Sequence, residues 1–186
     1  GDLRRHDPAS LQRWIGDDAL HLQALARGED TRDVVPDRDA KSMGAEETFE
    51  EDLEDLDTFE TYLLGQAERV ASRLRRGGVV AGGVTLKYKL HDFRLVTRQA
   101  VLAKPTDDGP TLHKAVVKLL HANPPPAPLR LIGLNAHALG PPPPPELFTP
   151  RSETRAQKLN AALDAIREKH GTDGVTRARL LELDDE

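Results

Sequence analysis

The stretch VTLKYKLHDFRLVTRQAVL, residues 84–102, decides the fold. In its first half apolar and polar side chains alternate, which is the period of a β-strand with one buried face. The polar positions include Lys87 and Lys89, so the solvent face of this strand is basic. His91 and Asp92 supply a turn, and the second half, whose alternation is blurred at its start, returns as an antiparallel partner with room for a bulge. The stretch therefore predicts a β-hairpin.

Strands and helices on both sides of the hairpin complete the predicted unit. A capping box of Asp57 and Glu60 starts the first helix, in which apolar residues recur at steps of three and four. In chain order the predicted elements are a strand over 41–49, a helix from Asp57 to Gly77, the hairpin, a helix from Asp107 or Asp108 to the prolines at 124–126, and a strand over 129–139. The order βαββαβ predicts an α+β fold, a four-stranded antiparallel sheet with both helices on one face.

The chain outside this unit divides by composition. Its first residues form a short all-helical segment, and the five consecutive prolines before Glu146 predict a stiff polyproline spacer. Leu147 and Phe148 follow the spacer in a polar tract, which is typical of a short linear peptide motif. The predicted divisions are a helical segment over 1–30, a linker over 31–40, the folded unit over 41–140, the spacer and peptide over 141–150, and a helical tail over 151–186.

The composition excludes several kinds of site. The 186 residues include no cysteine, which excludes a disulfide scaffold, a thiolate zinc site, an iron–sulfur cluster and a cysteine nucleophile. The seven histidines show no metal-ligand spacing, so we expect no metal and no other cofactor in this chain. No apolar run approaches the length of a membrane span, and we expect a cytoplasmic protein without a membrane partner.

Charge is distributed unevenly along the chain, whose net charge is −5. Nine acids and no base lie between Ala45 and Leu64, whereas residues 77–104 carry five bases against one acid. A basic strip on an acidic protein can still bind phosphate, because the local field depends on where the charges sit. The sheet face away from the helices is predicted to present small, hydroxylated and cationic side chains, namely Ser42, Gly44, Lys87, Lys89, some of residues 94–98, Asn135 and His137. Such a face suits a phosphodiester backbone; a solvated face without a ligand is the alternative.

Short motifs in chain order resemble Y-family DNA polymerases of the DNA polymerase IV type. Residues 1–28 are similar to the end of their thumb, and the other motifs are similar to their little finger, also called the polymerase-associated domain. These motifs are KSMGAE at 41–46 for its first strand, VTLK at 84–87 with DFR at 92–94 and VTR at 96–98 for its central hairpin, and RLIGL at 130–134 for its last strand. The segments LNAALDA at 159–165 and VTR at 175–177 resemble the tail of some bacterial members. The chain thus resembles a thumb remnant followed by a little finger.

The resemblance implies a part of a translesion DNA polymerase, an enzyme of DNA repair and replication that copies damaged templates. The family's nucleotidyltransferase chemistry rests on palm carboxylates that hold two magnesium ions, and neither palm nor fingers is present in residues 1–186. The acidic cluster over 50–55 lies between a strand and a helix and is no substitute. We therefore expect this chain to be inactive alone, with the palm and fingers of the same polymerase among its partners.

By the same resemblance, the open sheet lies in the major groove of the primer–template duplex and grips both backbones without reading bases. The residues expected at the DNA backbone are Ser42, Gly44, Lys87, Lys89, Arg94, Thr97 and Arg98. Leu147 and Phe148 resemble the end of the family's peptide for the sliding clamp. Pro144 and Pro145 replace its glutamine and first leucine, so we expect a weakened contact with a sliding clamp.

Two other functions are compatible with the pattern. An RNA-recognition module has the same element order, but it stacks bases on a central aromatic pair, whereas here Phe49 and Phe93 lie near the strand ends. A free-standing interaction protein derived from a polymerase would bind DNA or the clamp without being part of an enzyme.

Overall fold

Two compact units, Gly1–Asp39 and Ala40–Glu186, make up the chain in the computed structural model. The structure describes residues 2–35, 39–144, 155–171 and 174–183. The first unit is helical, and the second contains a sheet covered by helices.

Short helices with well-defined ends form the first unit. Helix α1 spans Pro8–Ile15 and helix α2 spans Ala19–Arg27, with a single 3-10 turn between them. The Asp7 carboxylate accepts a hydrogen bond from the Ser10 amide at 3.0 Å, which satisfies a free amide at the start of α1. Gly28 ends α2 in a left-handed conformation with φ of 84°. The predicted all-helical segment at the N-terminus is confirmed.

The second unit has the predicted order of elements. Its sheet and helices are β1 Ser42–Leu53, α3 Leu56–Arg76, β2 Val80–Leu90, β3 Leu95–Thr106, α4 Gly109–Ala122 and β4 Leu129–Gly140. The four strands are antiparallel and lie in the order β1-β4-β2-β3. The predicted α+β fold with a four-stranded antiparallel sheet is confirmed, and so is the β2–β3 hairpin.

The hydrophobic core lies between one face of the sheet and the helices α3 and α4. Leu63, Val70 and Leu74 of α3 are fully buried against this face. Fully burying a side chain of this size stabilises a fold by about 1.5–3 kcal/mol, so this one stripe is a large part of the driving force. Gln66, in the same stripe, donates a hydrogen bond to the Ile132 carbonyl at 3.0 Å and ties α3 to β4.

The two main helices begin at aspartates, one of them not the predicted one. Asp55 caps α3, because its extended backbone brings its carboxylate within 2.7 Å of the Thr58 amide. The hydrogen bonds from the Thr58 side chain and amide lower the pKa of Asp55. The predicted capping box of Asp57 and Glu60 is therefore wrong; Asp57 lies inside the first turn. For α4, predicted to begin at Asp107 or Asp108, the cap is Asp108.

The hairpin register is regular where the sequence pattern is blurred. Lys89 pairs with Leu95, and the pairing continues without a shift to Gly83 opposite Val101. The irregularity lies at the other end, between Ala81 and Gly83. The blurred alternation at the start of β3 therefore reflects apolar side chains on an exposed edge strand, not a bulge.

Helix α5, Arg155–His170, and a final 3-10 segment, Ala178–Leu183, belong to the second unit. Arg75 on the outer side of α3 makes two hydrogen bonds to Asp164, at 2.6 and 2.8 Å. Arg177 reaches the buried carboxylate of Glu68, also on α3. We call the described residues 155–171 and 174–183 the docked tail.

Candidate nucleic-acid interface

The strand register decides which side chains lie on the sheet face that the helices leave uncovered. Residues paired across neighbouring antiparallel strands point to the same side of the sheet. Four rows lie opposite the core: Ser42, His137, Gly83 and Val101; Gly44, Asn135, Thr85 and Gln99; Glu46, Gly133, Lys87 and Thr97; and Thr48, Leu131, Lys89 and Leu95. We call the surface formed by these rows the open face.

Five of the seven residues expected at the DNA backbone lie on the open face. They are Ser42, Gly44, Lys87, Lys89 and Thr97, contributed by three of the strands. Asn135 and His137 lie there as well, as predicted for this face. The register therefore brings two amines, several hydroxyl or amide groups and glycines onto one surface.

Arg98 does not lie on the open face, and the prediction that placed it there is wrong. It pairs with the fully buried Leu86, on the helix side of the sheet. Its Nε donates to the Asn123 side-chain oxygen at 2.9 Å, and Asn123 ends α4. The physical reason is the strand period: consecutive residues point to opposite faces, so Thr97 and Arg98 cannot share one without a bulge.

Arg94 lies in the hairpin turn, beyond the last paired residues of β2 and β3. Its amide donates to the Asp92 carboxylate at 3.0 Å, and its guanidinium remains largely exposed. The neighbouring Phe93 has a left-handed backbone with φ of 67°, which is uncommon for a bulky residue. The turn thus holds Arg94 at the end of the open face rather than on it.

A second cation beside this turn was not predicted. The Arg130 guanidinium carbon lies 5.1 Å from the centroid of the exposed Phe93 ring, and the Lys89 amine lies 5.9 Å from it. Arg130 is the extra residue of a bulge, because Lys89 pairs with Leu131 while Leu90 pairs with Leu129. The bulge directs Arg130 out of the regular alternation, so a period-two reading could not locate it.

Glu46 was also missed, although the sequence carried a signal for it. It follows Ser42 and Gly44 at steps of two, which places all three on one face of β1. Its Oε2 lies 2.7 Å from the Lys87 amine. The open face therefore carries a carboxylate next to one of its two lysines.

Glycines keep the open face shallow. A Cβ atom on Gly44 would lie 2.8 Å from the Asn135 side-chain oxygen, and one on Gly83 would overlap the His137 ring. The His137 ring thus lies directly over the glycine backbone. The Asn135 and His137 side chains thus lie low over the glycines of the neighbouring strands and do not rise far above the sheet.

One predicted site falls outside the described residues, and neither a metal site nor a membrane span was predicted. Leu147 and Phe148, the expected clamp peptide, lie outside the described residues, as does Pro145. Within the described ranges, His, Asp and Glu side chains form no group of three that could hold a metal ion. None of the helices in those ranges has both the length and the apolar character needed to cross a membrane.

Comparison with known proteins gives consistent matches over the same region. Residues 40–147 match the model of the impB/mucB/samB family C-terminal domain. The chain is 37% identical over 178 residues to DNA polymerase IV 1 of Mesorhizobium japonicum, covering 94% of this chain and 40% of that protein. It is 35% identical over 187 residues to DNA polymerase IV of Caulobacter vibrioides, covering 97% of this chain and 45% of that protein. The chain thus spans less than half the length of these relatives.

Proposed function

Because the chain belongs to the impB/mucB/samB family, whose C-terminal domain its residues 40–147 match, we propose that its open face binds the backbone of duplex DNA. The observation that carries the proposal is the common placement of Ser42, Gly44, Lys87, Lys89 and Thr97 on one glycine-rich sheet face. The names of the relatives, DNA polymerase IV, support DNA as the ligand.

The chemistry of this face favours phosphate over base edges. Lysine amines attract phosphate oxygens from any direction, and threonine and serine hydroxyls add neutral hydrogen bonds. Such contacts carry no sequence information, so they tolerate a damaged or mismatched base. This tolerance suits a primer–template duplex held during translesion synthesis, and DNA repair in the cytoplasm is the setting we propose.

The role proposed for this chain is to hold DNA, not to perform the chemistry. Nucleotide transfer with Mg²⁺ is proposed for palm and fingers domains, which the matched region does not include. In this proposal residues 1–30 serve as a thumb remnant, 41–140 as the little finger and 151–186 as its tail.

Duplex binding is tested by fluorescence anisotropy with a short labelled duplex of arbitrary sequence, titrated with the full chain at ~50 and ~200 mM salt. We expect binding that weakens with salt and does not depend on sequence. Lys89→Gln should lower the logarithmic salt slope by about 0.9, because one phosphate contact is lost. Arg98→Gln, which removes the same charge from the helix side, should change the slope much less. Absence of wild-type binding at ~50 mM salt would overturn the proposal.

A contact with the sliding clamp is proposed on sequence alone, through Leu147 and Phe148. It is tested by retention of the chain on immobilised clamp, with both residues changed to alanine. Retention that does not change in the double variant would discard the motif. Single-stranded RNA in the anisotropy assay separates the RNA-recognition alternative, which would bind it in preference to the duplex.

A further inference from the structure

One row of the open face contains an ion pair that connects β1 to β2 across the intervening strand β4. In the order β1-β4-β2-β3 the row consists of Glu46, Gly133, Lys87 and Thr97. Glu46 and Lys87 are thus not neighbours in the sheet, because Gly133 of β4 lies between them. Even so, the Glu46 carboxylate and the Lys87 amine are 2.7 Å apart.

Gly133 makes this contact possible. Strands separated by one other strand lie about 9.5 Å apart, so both side chains must lean toward each other across the intervening residue. A Cβ atom on Gly133 would lie 2.8 Å from the Glu46 Cβ and 3.2 Å from the Ala45 carbonyl oxygen. Any larger residue at this position would force Glu46 away, so the pair depends on the glycine.

The pair is accessible to solvent and therefore to a competing anion. The Lys87 side chain is 35% exposed and the Glu46 side chain 51%. The residues that the described register assigns to the open face include one carboxylate, that of Glu46, and two amines, those of Lys87 and Lys89. A phosphate that approaches Lys87 meets a carboxylate already bound there, at the centre of the face.

We propose that Glu46 is an intramolecular competitor that occupies Lys87 in place of a DNA phosphate. The inference rests on the proposed function of the open face. The Lys87 amine exchanges a carboxylate oxygen for a phosphate oxygen, so it keeps an anionic partner in both states. Exchange of this kind limits affinity and lets the domain release one phosphate and take the next along the duplex.

The test compares two glutamate variants of equal charge in the full chain, using the same labelled duplex. Glu46→Gln frees Lys87 and should tighten binding roughly two- to fivefold, as expected for loss of an exposed ion pair. It should also steepen the salt slope by up to about 0.9, because Lys87 then gains a full phosphate contact. Glu47→Gln is the matched control. Glu47 is the next residue on β1 and lies 3.6 Å from Arg69 of α3, so its loss should not change binding.

A double-mutant cycle separates competition from a general charge effect. In the Lys87→Gln background, Glu46→Gln should give little further gain, because the amine for which the carboxylate competes is gone. An equal gain in both backgrounds, or equal affinities of the Glu46→Gln and Glu47→Gln variants, would overturn the inference while wild-type duplex binding persists. Absence of wild-type binding would instead overturn the proposed function itself.

Discussion

Glu68→Gln should loosen the docked tail, because Glu68 is the buried carboxylate to which the tail is anchored. The Glu68 side chain is 5% exposed. The Arg177 Nε donates to its Oε1 at 2.8 Å, and the Arg177 Nη2 lies 2.8 Å from the same oxygen without the angle for a second hydrogen bond. The Arg167 guanidinium lies 3.9 Å from the other oxygen. One carboxylate thus faces two guanidinium groups of the tail.

The magnitude follows from what the variant leaves behind. Removing one partner of a buried ion pair costs about 3–5 kcal/mol, since the remaining charge is uncompensated. Here Arg177 is 29% exposed and Arg167 16%, so water solvates part of the remaining charge. A glutamine also keeps one oxygen as an acceptor. We therefore expect a loss of about 2 kcal/mol, which is a large fraction of the total stability of a domain.

Urea denaturation measures the loss of stability of the whole domain, and hydrogen exchange followed by mass spectrometry shows in which segments the loss occurs. The urea midpoint should fall without a change in slope, and exchange should accelerate in peptides from α5 and the final 3-10 segment. Peptides from the strands should exchange as in the wild type. Glu47→Gln, which removes an exposed pair with Arg69, is the control and should cost under about 0.5 kcal/mol. A Glu68→Gln variant with wild-type midpoint and wild-type exchange in α5 would refute this account of tail docking.

Three further predictions concern α3, α4 and the docked tail. Gly109→Ala should destabilise tail docking as Glu68→Gln does, because a Cβ at Gly109 would displace the Glu68 carboxylate. The effects of the two changes on stability should therefore not add, and urea denaturation of the two single variants and the double variant measures this. Hydrogen bonds from Arg75 lower the pKa of Asp164, so this pair stabilises the fold above the ordinary pKa of 3.8 and its contribution is lost as pH falls below it. Asp164→Asn should therefore flatten the decline of the urea midpoint below about pH 4. Burial lowers the pKa of His113 from its ordinary 6.5, so acidification below that value costs stability, and His113→Gln should reduce the loss between about pH 6.5 and 5.

The periodicity of the sequence was sufficient to predict the sheet and the helices, but not to predict which side chains contact one another. The alternation through Lys87 and Lys89 predicted both the strand and the face, because one residue in two must point to solvent. The same rule, applied strictly, would have moved Arg98 to the helix side. The cap of α3 was misassigned because Asp55 and Asp57 are equally good residues for a cap, and only the backbone conformation distinguishes them.

The docked tail shows what a local pattern cannot predict. Its anchors join residues far apart in sequence, 89 positions for Arg75 and Asp164 and 109 for Glu68 and Arg177. Single charged residues on a helix are ordinary surface residues in any local window. Glu68 is buried because the tail and Gly109 of α4 both cover it, and no period or motif in α3 distinguishes it from the exposed Arg69 beside it.

Correct assignment of faces changes the electrostatics expected of DNA binding. Arg98 lies on the helix side of the sheet, and Lys87 is paired with Glu46. Among the residues that the described register assigns to the open face, Lys89 is therefore the amine that has no carboxylate beside it. A full phosphate contact by Lys89 alone would give a logarithmic salt slope near −0.9, and a second full contact by Lys87, once Glu46 no longer occupies it, would bring the slope to about −1.8. A slope near −3.6 would require two more cations on the same duplex. Arg94 and Arg130 at the hairpin end are placed to supply them, since Arg130 and Lys89 flank the same exposed ring. The measured slope therefore distinguishes a duplex that contacts only the sheet centre from one that extends over the hairpin turn.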